Sequence, residues 1–167
     1  MTEPISTHVT QYLESLSVQF RVLPHSRPAT TIEDAAEQRG IRTAQMVKSI
    51  VLRDMSNRFA IACAPGNMSI DPKKVRNILG WRRMTCVSPQ EVISITGYEI
   101  GTVVPLMLSK SIVVVFDNQI FDEKEVTISS GSKMAGLALR SEALAELCKP
   151  IMGDICRDNT EKNKKSK

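Results

Sequence analysis

The apolar residues of the chain fall into two recurring patterns, and the elements they predict alternate along its length. Ile5, Val9, Tyr12, Leu13 and Leu16 recur at three- and four-residue spacing, which predicts a helix over 4–16. Val18–Val22 alternates apolar and polar, the period of a half-exposed strand, and Leu23–Pro28, with two prolines, reads as a loop. Thr30-Thr31-Ile32-Glu33 has the spacing of a capping box and Gly40 that of a C-cap, so a helix is expected between them. Gln45–Leu52 and Arg58–Ala64 are β-branched, strongly apolar runs expected to pair antiparallel, with Pro65-Gly66 breaking the second.

Further on, Asp71-Pro72 and Ser88-Pro89 each place a capping side chain before a proline suited to the first helical turn. The first of these helices ends at Gly80, the second near Thr96-Gly97. Ser111–Asp117 is the strongest strand signal and is expected at the centre of the sheet. Glu125–Ser129 and Leu137–Leu139 are shorter strands around a Ser130-Gly131-Ser132 turn. Ser141 is expected to cap a last helix, which Pro150 stops. Two groups of strands with helices between them predict a single α+β domain with a mixed, largely antiparallel sheet, not the regular alternation of a doubly wound fold.

Composition refines this picture in three places. Of the 167 residues 42% are apolar and 4% aromatic, a globular balance that disfavours a base-stacking surface. The net charge of +4 sits mostly in residues 157–167, where Arg157, Lys162, Lys164, Lys165 and Lys167 face only Asp158 and Glu161. That stretch is expected to be a disordered basic tail after a domain spanning 1–156, which leaves the domain near neutrality. No apolar run is long enough to span a membrane, and the N-terminus lacks the basic and apolar regions of a secretory signal; a cytoplasmic address is expected.

Candidate chemistry is sparse. Cys63, Cys86, Cys148 and Cys156 form no C-x-x-C pair, and the only histidines are His8 and His25, so neither a zinc site nor a cofactor is expected. No nucleophile elbow or P-loop occurs. What stands out is Lys48 inside an apolar strand. Its ammonium either snorkels to water or is held in a pocket where a substrate needs a cation.

The ordered set Val47-Lys48-Ser49-Ile50-Val51, Asp71–Val75 with Leu79-Gly80, Thr96-Gly97-Tyr98 with Gly101 and Pro105, Val115-Phe116-Asp117, Ile128–Gly131 and Gly153-Asp154-Ile155 resembles the YbaK family of aminoacyl-tRNA editing domains. That family includes free-standing Cys-tRNA(Pro) and Ala-tRNA(Pro) deacylases and the editing insertion of bacterial prolyl-tRNA synthetases. The resemblance implies a partly barrel-like sheet flanked by helices and hydrolysis of a small amino acid from a mischarged tRNA. It implies catalytic roles for Lys48 and Asp117, and substrate contacts from Gly97, Gly101, Thr102, Pro105, Ser129, Ser130 and Gly131. Aminoacyl-tRNA, with prolyl-tRNA synthetase as a docking partner, is the implied company. Thr102 stands where the family often has a second glycine, and the turn after Ser130 is one residue longer than usual.

The densest basic segment of the domain, Lys73, Lys74, Arg76, Arg82 and Arg83 around Trp81, is the candidate face for the tRNA acceptor stem; the alternative is an ordinary solvated helix side. A non-catalytic binding module of the same fold that docks to a synthetase is the rival for the whole chain.

Overall fold

The computed structural model describes residues 5–158. The proposed basic tail lies outside them except for Arg157 and Asp158. Two sheets organise the fold. The smaller has the order β1-β7-β6, from Arg21–Pro24 (β1), Glu125–Ser129 (β6) and Ala135–Arg140 (β7), all antiparallel. The larger has the order β4-β2-β3-β5-β8, from Val47–Asp54 (β2), Phe59–Pro65 (β3), Met84–Cys86 (β4), Val113–Asp117 (β5) and Ile151–Gly153 (β8). In it β2 pairs antiparallel with β3 and β4, whereas β3–β5 and β5–β8 are parallel. Five helices flank the sheets: α1 (His8–Ser15), α2 (Ile32–Arg39), α3 (Pro72–Leu79), α4 (Pro89–Thr96) and α5 (Ser141–Cys148).

The expected α+β class and mixed sheet are present. The barrel is not. Among the described residues the two sheets meet through a single parallel bridge, Met46 to Thr127, and do not close. The central strand is β3, whose residues Ala60–Pro65 are all buried, and β5 lies one place out. Pro24 ends β1 instead of opening a loop; β1 is an edge strand, where a missing N–H costs no ladder bond.

Two of the cap signals act one residue away from where their spacing suggests. Helix α1 starts at His8 because Thr7 and Thr10 cap each other reciprocally. Thr31, not Thr30, caps α2 by accepting from the Asp34 N–H at 2.9 Å. Asp71 and left-handed Gly80 bound α3 as expected. Ser141 is the first residue of α5, after an Arg140 cap that makes no side-chain bond.

Strand β2 separates two cores. Val47 and Val51 pack with Ile61, Cys63 and Phe116 between the sheets, a core closed by Val9 and Leu13 of α1 and Leu144 of α5. Ile50 and Leu52 face the other way, over Ala60, Ala62 and Ala64, toward Val75 of α3 and Ile155. Lys48 shares this second face, opposite Ala64. The three alanines keep that face shallow, so α3 and the Ile155 segment pack close to the sheet.

Candidate active site

A cleft of about 300 Å³, at the low end of small-ligand pockets, opens where the sheets part beside the Met46–Thr127 bridge. Met46 and Val47–Ser49 of β2 form one wall. Thr30–Ile32, Ala35 and Arg39 of α2 and its cap form another. Gly101 with Val103, and Ser129 with Ser132 and Lys133, complete it. Among its lining residues are three cations, Arg39, Lys48 and Lys133, and no carboxylate.

Lys48, Gly101 and Ser129 are thus brought together. Lys48 is half-buried and its ammonium donates to the carbonyl of Met68. Met68 belongs to a second cleft with Asp117, Cys156 and Asp158, so the lysine stands between the two. Gly101 adopts φ +87°, a left-handed conformation that a side chain would strain, and space is open where its Cβ would be. Ser129 accepts from the Gly131 N–H at 3.0 Å, which fixes the start of the serine turn.

Other candidates fall nearby. Gly97, Thr102, Ser130 and Gly131 line an adjoining cleft with Tyr98, which Ser132 and Lys133 share with the first. Gly97 is the left-handed cap of α4. Thr102 is buried with its hydroxyl donating to the Glu99 carbonyl at 2.8 Å, and it lines this adjoining cleft but not the Lys48 cleft. Ser130 is fully buried, donating to the Ala135 carbonyl at 2.8 Å and accepting from the Ser132 N–H at 3.2 Å. Gly131 packs its backbone against Val9 and the Tyr98 ring. Pro105 lines neither cleft; it is buried, and its carbonyl accepts from the Cys148 thiol.

Asp117 is also outside the Lys48 cleft. Its two oxygens accept from the Gln119 N–H at 2.8 Å and the Ile155 N–H at 2.9 Å, tying β5 to the 3-10 turn Asn118–Asp122 and to the C-terminal segment. Burial, with Asp117 alongside, pushes the neighbouring Cys156 thiol up to about 12, and burial does the same to Cys63. Neither is a thiolate at neutral pH. Among the described residues no three of His, Cys, Asp and Glu gather as a metal-ligand cluster.

The basic segment divides. Lys73, Arg82 and Arg83 are exposed and Arg76 half-buried. Lys74 is committed elsewhere: it bonds the Cys156 carbonyl at 2.7 Å and pairs with Asp158 at 2.9 Å and Asp154 at 3.4 Å. Trp81 carries the Arg58 guanidinium 4.7 Å from its ring centre, and Arg58 in turn pairs with buried Asp54.

Sequence reasoning missed His25 and Arg39. His25 Nδ1 faces the Lys133 carbonyl at 2.7 Å and Arg39 Nε lies 3.1 Å from His25 Nε2. Both bonds are satisfied by the neutral ring protonated on Nδ1, and burial holds the ring's pKa below its ordinary value. Arg39 also donates to the Thr127 hydroxyl at 2.9 Å. The one available signal is Gly136, a glycine within β7, which marks a close approach but does not say of what.

The sequence profile of the aminoacyl-tRNA editing domain matches residues 26–147. The chain belongs to the aminoacyl-tRNA editing domain family. Among its relatives, YwhH of Bacillus subtilis, an uncharacterized protein, is 29% identical over 92% of this chain and 96% of its own. EbsC of Enterococcus faecalis, a candidate Cys-tRNA(Pro)/Cys-tRNA(Cys) deacylase, is 24% identical over 74% of this chain and 75% of its own. The proline–tRNA ligase of Trichlorobacter lovleyi is 30% identical over 56% of this chain, which amounts to 16% of the ligase. In fold, the editing domain superimposes on the crystal structure of a candidate trans-editing enzyme for prolyl-tRNA synthetase with a TM-score of 0.80, at 21% identity over 93% of this chain and all of the other.

Proposed function

We propose that this editing domain is a trans-acting hydrolase that removes a small amino acid, such as cysteine or alanine, from a mischarged tRNA, with tRNA(Pro) the favoured carrier. The observation that carries the reading is the cleft in which Lys48, the Gly101 backbone and Ser129 converge without a carboxylate. A synthetase cannot reject a small amino acid by binding alone, because one methylene is worth only about 1–3 kcal/mol, so a second, hydrolytic sieve is needed.

The bond to be broken is an activated ester. Water, or the thiol of a cysteinyl substrate, attacks the carbonyl carbon; the ribose oxygen leaves and takes up a proton. Lys48 and N–H groups of the Gly101 loop stabilise the negative oxygen that develops on the way, a contribution of about 2.7–4 kcal/mol per donor. No protein nucleophile is required, which agrees with the raised cysteine thiols and with serine hydroxyls engaged in their own turn. Asp117 acts here as a positioning residue, holding the segment after β5 against Ile155. Lys73, Arg76, Arg82 and Arg83 offer the acceptor stem a cationic face, and prolyl-tRNA synthetase is the partner that supplies the mischarged substrate.

The bond from the Lys48 ammonium to Met68 favours a second reading, a non-catalytic module that only holds the aminoacyl end. Incubating the protein with a panel of mischarged tRNAs decides between them. Hydrolysis of Cys- or Ala-tRNA(Pro) above the spontaneous rate supports the hydrolase; binding without turnover across the panel supports the module.

A further inference from the structure

Arg39 is a cation the editing chemistry above does not use. It ends α2, half-buried, and reaches across the cleft wall to β6. Its guanidinium lies against the backbone of β7: a Cβ on Gly136 would come within 2.1 Å of Nε and 2.3 Å of Cζ. Its partners are the His25 ring nitrogen and the Thr127 hydroxyl, both neutral. Among the described residues no carboxylate pairs with it, and Nη2, which makes no hydrogen bond with the protein, is left open to solvent. Burial lowers its pKa only to about 10, so it is charged at neutral pH. A partly desolvated charge held only by neutral groups favours an anion at its open side. The neighbouring cations Lys48 and Lys133 raise the local positive potential further.

We infer that Arg39, held by His25 and Thr127 over Gly136, is a phosphate subsite of the cleft, taking a phosphate oxygen adjoining the terminal adenosine of the bound tRNA. The assignment rests on the proposed aminoacyl-tRNA reading for its source and on the cleft's chemistry for its class. In an aminoacyl ester the amino acid's carboxyl is consumed by the linkage, and the side chains of cysteine and alanine are uncharged. The phosphodiesters are then the anions such a substrate brings. A planar guanidinium fixed through Nε and one Nη presents its remaining donors in a set direction, as phosphate recognition requires.

The test compares binding of AMP with binding of adenosine to the full chain by calorimetry at low salt, with inorganic phosphate as competitor. AMP is expected to bind about tenfold or more tighter than adenosine, since hydrogen bonds to charged groups carry that much, and phosphate is expected to displace it. Arg39→Gln is expected to bring the two ligands within about twofold, with Arg39→Lys between. A wild-type ratio near one overturns the proposal and needs no variant. So does an undiminished AMP preference in folded Arg39→Gln. If Arg39→Gln abolishes the AMP preference yet leaves KM for a charged tRNA unchanged, the subsite serves a free nucleotide and the tRNA assignment is overturned. If no charged tRNA is hydrolysed, the hydrolase reading falls while the AMP comparison still decides the subsite.

Discussion

Replacing Asp117 by asparagine separates a structural aspartate from a catalytic one. The wild-type carboxylate is buried and accepts two backbone N–H bonds, from Gln119 and Ile155. Asparagine keeps one acceptor and turns an NH2 group against the other N–H, so one charge-assisted bond is lost and a buried donor is left facing a donor. The first change costs about 1.5–3 kcal/mol and the second adds to it, giving about 2–4 kcal/mol. For a domain of this size that is a fall in Tm of roughly 4–16 °C, measured by circular dichroism on the two proteins at one pH. At a temperature where both are folded, Asp117→Asn should retain turnover on a mischarged tRNA within about tenfold, since the group lies outside the Lys48 cleft. A Tm shift under about 2 °C would refute the two-bond account. A folded variant whose turnover falls a hundredfold or more would place the carboxylate in the reaction itself.

Three further outcomes are expected. Gly136→Ala should destabilise by about 1–3 kcal/mol in urea denaturation, because the new methyl displaces the Arg39 guanidinium from both partners. The loss should shrink in an Arg39→Ala background, and an unchanged loss there would mean the guanidinium is not what the methyl meets. Stability should fall as pH drops below about 6.5, because the unfolded His25 takes up a proton that the folded ring, with its lowered pKa, resists. The loss levels off below the folded value, and His25→Asn should flatten that part of the Tm–pH curve; a wild-type slope in the variant would assign it elsewhere. Lys73→Ala and Arg83→Ala should each weaken tRNA binding and reduce its salt dependence, whereas Lys74→Ala should chiefly lower Tm; equal effects on binding would contradict the division of the basic segment.

Much of the fold is legible in residues that act locally. Asp71-Pro72 with Gly80, and Gly40 and Gly97 past their helices, mark boundaries through backbone chemistry that tertiary packing leaves unchanged. The alternation that puts Val47 and Val51 in one core and Ile50 and Leu52 in another follows from the two-residue period of a strand. Strands β4 and β8 were not legible, since three residues are too few to show a period and their pairing is long-range. Pro24 misled because a rule for interior strands does not bind an edge.

The cleft divides the same way. Lys48 announces itself as a charge in an apolar run. Arg39 looks like an ordinary basic residue in the last turn of a helix, where it would complement the helix dipole. Its role depends on His25, Thr127 and Gly136, which are 14, 88 and 97 positions away in the chain. No local pattern carries that convergence. For Asp117 the strand-end position signals a turn, and the bond from the Gln119 N–H two residues on is that turn; a catalytic role is implied by the resemblance alone, and the long-range bond from Ile155 has no local signal.

The most direct measurement of the central claim is single-turnover deacylation of Cys- and Ala-tRNA(Pro) by the wild-type chain and by Lys48→Ala, with Tm recorded for both. Removal of the ammonium from the cleft should slow hydrolysis about 10²–10³-fold at a temperature where both proteins are folded, with some fall in Tm from loss of the bond to the Met68 carbonyl. Equal rates for the two proteins would contradict the assignment of hydrolysis to Lys48 and its glycine-walled cleft.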